Sequence, residues 1–391
     1  MSPQRKALLA LPFGSFALGA AEFVMMGVLP RSAEDLSVSI PTAGHFITAY
    51  ALGVCVGTLF LVFGRRVPPR TLLVFFAVVI LTGNALVAVA PNYAMMVAAR
   101  FISGLPHGAY AGVAAIVARE LAEPGKQAQA LALTLTGQTV ANMLGVPLGT
   151  LLGEALSWRL AFAFLAVWGV VTVVMLLRYV PKMPAIQDAG LLGQFKFLKK
   201  PAPWMIIFAV LLGNTGIFCW WSYVSPWLTA EGGFADWALP LMMAVAGLGM
   251  VFGGMAGGRL SDRWRTGGAA AVGQAISCIG LVAIALIGGS PIAVGALAFV
   301  CAFSMFFVNA PQQLLMVQQG EGGGEMIGSA LVQIGFNLGN SFGAAIGGAV
   351  LAGAGMNYRL SSAAGIPFTL AAVLLLALFS WRHERSAARK G

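Results

Sequence analysis

The chain is a succession of apolar segments, each long enough to cross a lipid bilayer, which takes about 20 residues of helix. Hydrophobic residues make up 59% of its 391 positions and charged residues only 9%, whereas roughly a quarter of the residues in a soluble domain are charged. The apolar segments fall at 7–30, 42–63, 71–90, 94–118, 129–153, 160–180, 203–226, 237–258, 268–288, 292–316, 326–353 and 364–381. The sequence therefore predicts an all-helical, polytopic membrane protein with twelve transmembrane helices.

The twelve spans divide into two halves of six. The longest connection on the predicted cytoplasmic side is 181–202, and we interpret it as a linker. It divides the chain into an N-terminal half at 1–180 and a C-terminal half at 203–391. The apolar and basic stretch 190–200 is expected to lie on the lipid surface as a tether. Gln138 and Asn142 recur as Gln333 and Asn337, each 195 residues later. Two six-helix halves with internal similarity are typical of transporters.

The basic residues predict the orientation of the chain in the membrane. Most Lys and Arg fall in the predicted inner segments, and only Arg31, Arg159 and Arg359 fall outside. Positive charge favours the cytoplasmic side, so both termini are expected to be cytoplasmic and the protein to lie in a cell (inner) membrane. This placement also accounts for the net charge of +10 without a nucleic-acid partner. We expect a monomer whose partners are the lipid bilayer, protons and a small-molecule substrate.

Glu22 is the one charged side chain of the first span, and we predict that it carries protons. Ala20, Ala21, Phe23 and Val24 surround it in sequence, and a carboxylate among such residues in a membrane is costly unless it has a function. The first span lacks the small-residue cleavage pattern of a signal peptide, so we expect it to remain in the protein. The alternative is a neutral carboxyl that only forms a hydrogen bond with a neighbouring helix.

Two further ionisable residues lie in the fourth span. Arg100 is seven residues into it, at a depth similar to that of Glu22; it could tune the protonation of Glu22 or form a static ion pair that specifies helix packing. His107 follows Pro106 on the same helical face. It could relay protons or act as a neutral hydrogen-bonding group at a turn that proline loosens.

Polar and aromatic side chains at helical spacing mark the predicted substrate-binding surface. The amides of span five could bind substrate or bridge helices, and the aromatic residues of span seven could bind an apolar ligand face or lie at the membrane interface. The predicted substrate-binding residues are His107, Gln138, Asn142, Asn214, Phe218, Trp221, Gln333 and Asn337. The cysteines lie in apolar spans without the spacing of metal ligands, and no nucleophile–base pair is evident, so neither a metal site nor an enzyme is expected.

Three motifs resemble those of the major facilitator superfamily. Gly258-Arg-Leu-Ser-Asp262-Arg263 resembles its cytoplasmic loop motif, the segment beginning at Arg100 its fourth-helix Arg motif, and the stretch with Gly145, Pro147 and Gly149 its fifth-helix antiporter motif. The segments around Ala21-Glu22-Phe23, Tyr50-Ala-Leu-Gly53 and Gly104-Leu-Pro-His-Gly108 are similar to those of the AraJ-type sugar (arabinose) efflux permeases. These belong to the drug/proton antiporter branch.

The resemblance implies a proton-coupled antiporter that exports a small, sugar-like organic solute by alternating access. It assigns proton coupling to Glu22 and Arg100, and gating to Gly258, Asp262, Arg263, Gly145, Pro147 and Gly149. A multidrug or nucleoside exporter of the same fold is the alternative, and a non-transporting membrane sensor is a remote one. The first-half copy of the loop motif, Gly64-Arg65-Arg66-Val-Pro-Pro-Arg70, lacks the acid that Asp262 supplies in the second, so a symmetric gate is in doubt.

Overall fold

The computed structural model describes residues 2–63, 67–123, 126–184, 195–287, 290–321 and 324–384, and its secondary structure there is helical. We number twelve long helices in this part of the chain. They are α1 (Pro3–Gly27), α2 (Ile40–Phe63), α3 (Pro69–Ala88), α4 (Tyr93–Gly104 and Pro106–Leu121), α5 (Gln127–Val140, Ala141–Gly145 and Val146–Leu152), α6 (Trp158–Tyr179), α7 (Pro201–Trp221), α8 (Leu239–Arg263), α9 (Thr266–Leu286), α10 (Pro291–Phe307 and Asn309–Gln319), α11 (Glu325–Gly353) and α12 (Tyr358–Phe379).

The twelve helices confirm the predicted all-helical fold. Eleven described stretches are long and apolar enough to span a membrane, and one of them, Gln129–Tyr179, is 51 residues long and contains both α5 and α6. Ser157 separates these two helices, because its backbone is extended and its hydroxyl accepts a hydrogen bond from the N–H of Arg159. The longest stretch therefore crosses twice, as the sequence predicts.

Proline interrupts helices that the sequence treats as continuous. Pro106 starts the second segment of α4, and Leu105 lies at the junction. In α5, Pro147 has no N–H to donate to the preceding turn, and the adjacent N–H of Val146 reaches back five residues to the carbonyl of Ala141. Residues Ala141–Gly145 form a π-helical turn just before this proline.

The chain forms two compact units. The first comprises Met1–Val38 and Ala49–Asp188, and the second Ser39–Thr48 and Ala189–Gly391. The first nine residues of α2 thus pack with the second unit, where the Thr48 hydroxyl donates to the carbonyl of Ser341. The predicted linker 181–202 includes 185–194, which lie outside the described residues, and the tether predicted at 190–200 lies partly outside them, so the division inferred from the sequence stays a prediction.

Small residues allow helices to approach closely in both units. In the first unit, α5 presents Gly145 to the ring of Phe16 on α1 and Gly149 to the side chain of Val24. In the second unit, α11 contacts α7 through glycines at every fourth position, which place its backbone against α7. These glycines are Gly335, Gly339, Gly343 and Gly347.

Ion pairs connect helix ends on the side that the sequence predicts to be external. Arg31 pairs with Glu154 at 2.8 Å, and Arg159 pairs with Asp35 at 2.6 Å, both within the first unit. In the second unit, Arg359 pairs with Glu231 at 3.0 Å. The three arginines predicted to lie outside are therefore each engaged with an acid of the same unit.

Candidate functional site

Helices α2 and α4 approach closely at the level of the ionisable residues. A Cβ atom on Gly53 would overlap the carbonyl of Phe101, and one on Gly104 would overlap the carbonyl of Tyr50. Glycine at both positions therefore allows the two backbones to touch. This contact places the ring of Tyr50 beside α4, where Arg100 lies one turn before Gly104.

Arg100 is fully buried, with 0% of its surface exposed. Its Nη1 donates a hydrogen bond of 2.8 Å to the carbonyl of Ala21 on α1, the residue before Glu22. Its guanidinium carbon lies 4.4 Å from the centre of the Tyr50 ring and 5.6 Å from that of Phe162. A planar cation suits such packing, because aromatic ring faces attract it while its N–H groups remain free to donate.

The Glu22 carboxylate lies near polar groups of α2 and α4. Its Oε2 is 3.7 Å from Nδ1 of His107, and 12% of the Glu22 side chain is exposed. The charges of Glu22 and Arg100 also interact. Glu22 and Arg100, which the sequence places at similar depth, are thus neighbours in the first unit.

Tyr50 links α1 and α4 through its hydroxyl group. The hydroxyl donates to the carbonyl of Leu18 at 3.1 Å and lies 2.9 Å from Nδ1 of His107. With Glu22 and Arg100, these residues form a set that we call the Glu22 cluster: Glu22, Tyr50, Arg100 and His107. It combines an acid that can gain and lose a proton with a cation and a histidine that can stabilise its charged form.

Tyr50 is not among the site residues predicted from the sequence, where it belongs only to the segment Tyr50-Ala-Leu-Gly53 that resembles the efflux permeases. Tyrosine in a membrane span is most often found near the interface. Its position offered a signal, since Tyr50 is eleven residues into α2, far from either end of the helix. A hydroxyl so deep in an apolar span needs a hydrogen-bond partner.

The candidate residues of α5 pack against α1. Gln138 lies beside Gly19 of α1, because a Cβ atom on Gly19 would be 3.0 Å from Cγ of Gln138. Asn142 is 2% exposed and lies in the π-helical turn; among the described residues its Oδ1 has no hydrogen-bond partner. Gly145 and Gly149, predicted to act in gating, form the close contact with α1 described above.

The candidate residues of α7 lie against neighbouring helices of the second unit. Asn214 and Phe218 pack with their Cβ atoms toward Gly339 and Gly343 of α11. Trp221 is buried, and its ring centre is 5.6 Å from that of Trp220. Trp220 in turn packs edge-on against Trp227 at 4.8 Å. These tryptophans are enclosed by protein, with 2% or less of each exposed.

The α11 candidates follow one another at helical spacing. The Asn337 side chain donates to the carbonyl of Gln333 at 3.0 Å. Its Oδ1 has no hydrogen-bond partner among the described residues, as for Asn142, its counterpart in the internal repeat. Gln333 is half-buried.

The predicted gating residues of the second unit lie at the end of α8. Asp262 and Arg263 are exposed, and Arg263 is the last residue of the helix. A Cβ atom on Gly258 would meet no atom of the described residues within 4 Å. Gly64, Arg65 and Arg66, which belong to the first-half copy of the motif, lie outside the described residues.

Comparison with known proteins defines the class of this chain. The model of the Major Facilitator Superfamily matches residues 11–330. The chain therefore belongs to the major facilitator superfamily, whose members are membrane transporters of small molecules, and it is a multi-pass membrane protein.

Particular relatives cover nearly the whole chain. AraJ of Escherichia coli (strain K12), which is provisionally named a transporter, is 40% identical over 95% of both chains. The inner membrane transport protein YdhP of Escherichia coli (strain K12) is 34% identical over 96% of both. A chloramphenicol resistance protein of Streptomyces lividans is 30% identical over 94% of this chain and 93% of its own.

Solved structures support the fold. A bacterial homologue of the human lysosomal transporter Spinster, in an inward-facing and occupied conformation, superposes with a TM-score of 0.73 at 16% identity. The match covers 98% of each chain. The same homologue in an unoccupied conformation gives a TM-score of 0.71.

Proposed function

We propose that this chain is a proton-coupled antiporter that exports a small organic solute, sugar-like or related, by alternating access. The observation that carries the proposal is the Glu22 cluster. A carboxylate deep in a membrane span, with Arg100 and His107 beside it, is an arrangement that favours reversible protonation over a purely structural role. Glu22 carries the proton, and Arg100 stabilises the state in which the proton has left.

Coupling follows from the different charge of the two states. With Glu22 ionised, Arg100 and the carboxylate attract each other; with Glu22 protonated, that attraction is lost. A change in this balance can favour a different helix arrangement, provided that the two conformations differ in how they stabilise the ionised acid. Binding of solute would favour one state and binding of a proton the other, as exchange requires.

Four amide side chains are the solute contacts in this proposal. Gln138 and Asn142 of the first unit, and Gln333 and Asn337 of the second, offer donors and acceptors to hydroxyl groups. The Oδ1 atoms of both asparagines lack a protein partner among the described residues, which supports their use as acceptors, since buried polar atoms are normally paired. His107, Asn214, Phe218 and Trp221 complete the proposed set of contacts.

The direction and location of transport are part of the same proposal. The relationship to the inner membrane transport protein YdhP supports placement in a bacterial inner membrane. The distribution of Lys and Arg supports cytoplasmic termini, and we propose that the protein acts as a monomer. Gly258, Asp262 and Arg263 act as a cytoplasmic gate, and Gly145, Pro147 and Gly149 govern the movement of α5 against α1.

A hydrophobic drug is the second candidate substrate. The observation that favours it is the relative from Streptomyces lividans, which is named for chloramphenicol resistance. The buried tryptophans of the second unit would suit a drug with an aromatic face. The amides instead favour a solute that carries several hydroxyl groups.

Purified protein in proteoliposomes tests this proposal. With an acidic lumen, outward proton flow should drive the solute into the vesicle, and a protonophore should abolish that accumulation. Radiolabelled sugars, nucleosides and hydrophobic drugs are compared under identical gradients. Accumulation of sugars alone supports the first candidate, and accumulation of drugs alone supports the second. Solute entry that is the same with and without the gradient contradicts proton coupling.

A further inference from the structure

The two contacts of the Tyr50 hydroxyl determine where its hydrogen lies. The oxygen is 3.1 Å from the carbonyl oxygen of Leu18 and 2.9 Å from Nδ1 of His107. A carbonyl can only accept a hydrogen bond, so two oxygens at this distance repel unless the tyrosine hydrogen lies between them. An imidazole nitrogen can donate or accept, depending on the tautomer.

Only one arrangement satisfies both contacts. The hydroxyl uses its single hydrogen on Leu18, and it can then only accept from His107. Nδ1 of His107 must therefore carry a hydrogen, which leaves Nε2 with the lone pair in the neutral ring. The same Nδ1 is 3.7 Å from Oε2 of Glu22, so the ring nitrogen nearest to the acid has no lone pair with which to accept a proton.

We infer that Tyr50 is a positioning residue that fixes His107 in the tautomer with hydrogen on Nδ1, so that the ring nitrogen nearest to Glu22 donates its hydrogen to Tyr50 and has no lone pair for the acid. The consequence of this tautomer for proton transfer rests on the proposed function of Glu22. The assignment of the tautomer itself does not depend on that function. A ring with hydrogen on Nδ1 has no lone pair on that nitrogen. It cannot accept a proton from protonated Glu22 through that nitrogen, so Tyr50 prevents proton transfer from Glu22 to His107 at Nδ1.

The surroundings of His107 are consistent with this role. The charged and titratable groups of the cluster are Glu22 on α1, Tyr50 on α2 and Arg100 on α4 itself. Arg100 is directed to the carbonyl of Ala21 and to the face of the Tyr50 ring. The ring of Tyr50 thus holds Arg100 while its hydroxyl contacts His107 and Leu18, and substitution by Phe removes the two hydroxyl contacts and keeps the ring.

Nitrogen-15 NMR of the histidine ring tests the inference directly. The chain has three histidines, so the double variant His45→Gln, His383→Gln leaves His107 as the single signal. At a pH where the ring is neutral, we expect the protonated nitrogen to be Nδ1. Adding Tyr50→Phe should change the ratio of the two tautomers by roughly two- to tenfold, the effect of losing one hydrogen bond of ordinary strength.

Tyr110→Phe is the matched control. Tyr110 is also fully buried and donates to a carbonyl of α1, that of Leu11 at 3.0 Å, but its hydroxyl makes no contact with a histidine in the described structure. Both substitutions remove a hydrogen bond to α1, and only Tyr50→Phe should alter the His107 tautomer. Equal changes in the two variants would show a general structural effect and overturn the inference.

The outcomes separate this inference from the proposed function. Hydrogen on Nε2 in the unsubstituted background would overturn the inference even if Tyr50→Phe does not fold, and it would leave proton carriage by Glu22 intact. Hydrogen on Nδ1 supports the inference whatever the Glu22→Gln variant does. Transport against a gradient by Glu22→Gln would overturn the proposed function and leave the tautomer unaffected.

Discussion

Nδ1 of His107 lies 3.7 Å from the carboxylate of Glu22, although the two residues belong to different helices and are far apart in the sequence. Arg100 lies on the same helix as His107 and donates to the carbonyl of Ala21, the residue before Glu22. The histidine, the acid and Arg100 therefore form one electrostatic unit.

Arg100 and Glu22 should depend on each other for stability. Arg100→Ala leaves a buried carboxylate without its cation, which in a protein interior costs about 3–5 kcal/mol. In a Glu22→Gln background the same substitution should cost less, because the amide carries no charge. A double-mutant cycle on the free energy of unfolding in detergent measures this coupling, which we expect at roughly 0.5–3 kcal/mol.

The control is a second double-mutant cycle that combines Arg159→Ala with Glu22→Gln. Arg159 pairs with Asp35 and belongs to another set of contacts. Its effect should add to that of Glu22→Gln without a coupling energy. Additivity for Arg100 as well would mean that Glu22 and Arg100 do not interact energetically.

Close packing of α5 against α1 should make Gly149 more sensitive than Gly145. A Cβ atom on Gly149 would lie 2.7 Å from Cγ2 of Val24, whereas one on Gly145 would lie 3.2 Å from the ring of Phe16. Overpacking typically costs about 1–3 kcal/mol, so Gly149→Ala should lower the melting temperature more. Gly254→Ala on α8 is the control, because no described atom lies within 4 Å of its added Cβ. A larger drop in melting temperature for Gly145→Ala than for Gly149→Ala would contradict this packing.

The sequence predicted the helices well, because long apolar runs and charged loops reflect the bilayer directly. It also selected Glu22, Arg100 and His107, since an ionisable residue in a span is conspicuous by its type alone. Tyr50 lacked that signal, because its function depends on contacts with α1 and α4 that glycines at 53 and 104 permit. The π-helical turn at Ala141–Gly145 depends on local hydrogen-bond geometry, which periodicity does not reveal.

Trp221→Ala should weaken solute binding more than Trp220→Ala. Trp221 shares the helical face of Asn214 and Phe218, whereas Trp220 packs against both Trp221 and Trp227. Removing either tryptophan should also reduce stability, by about 3–5 kcal/mol, because both are buried. Binding titrations and thermal unfolding of both variants measure the two effects. Stronger loss of binding for Trp220→Ala would mean that the other face of α7 contacts the solute.

Asp262→Asn should slow transport and leave solute binding unchanged. Asp262 is exposed at the end of α8, remote in sequence from the proposed solute contacts, and its carboxylate would act in the change between conformations. Initial transport rates and equilibrium binding, measured on the same preparation, separate the two. A parallel loss of binding affinity and rate would place Asp262 in the binding site.

Glu22→Gln in proteoliposomes tests proton carriage most directly. The amide resembles the protonated acid but has no proton to release. The variant should therefore retain exchange of labelled for unlabelled solute and lose accumulation driven by a pH gradient. Glu154→Gln is the control, because Glu154 is also a buried acid, with 6% of its side chain exposed, but pairs with Arg31; it should keep gradient-driven accumulation. If Glu22→Gln accumulates solute against a gradient as the unsubstituted protein does, Glu22 is not the proton carrier.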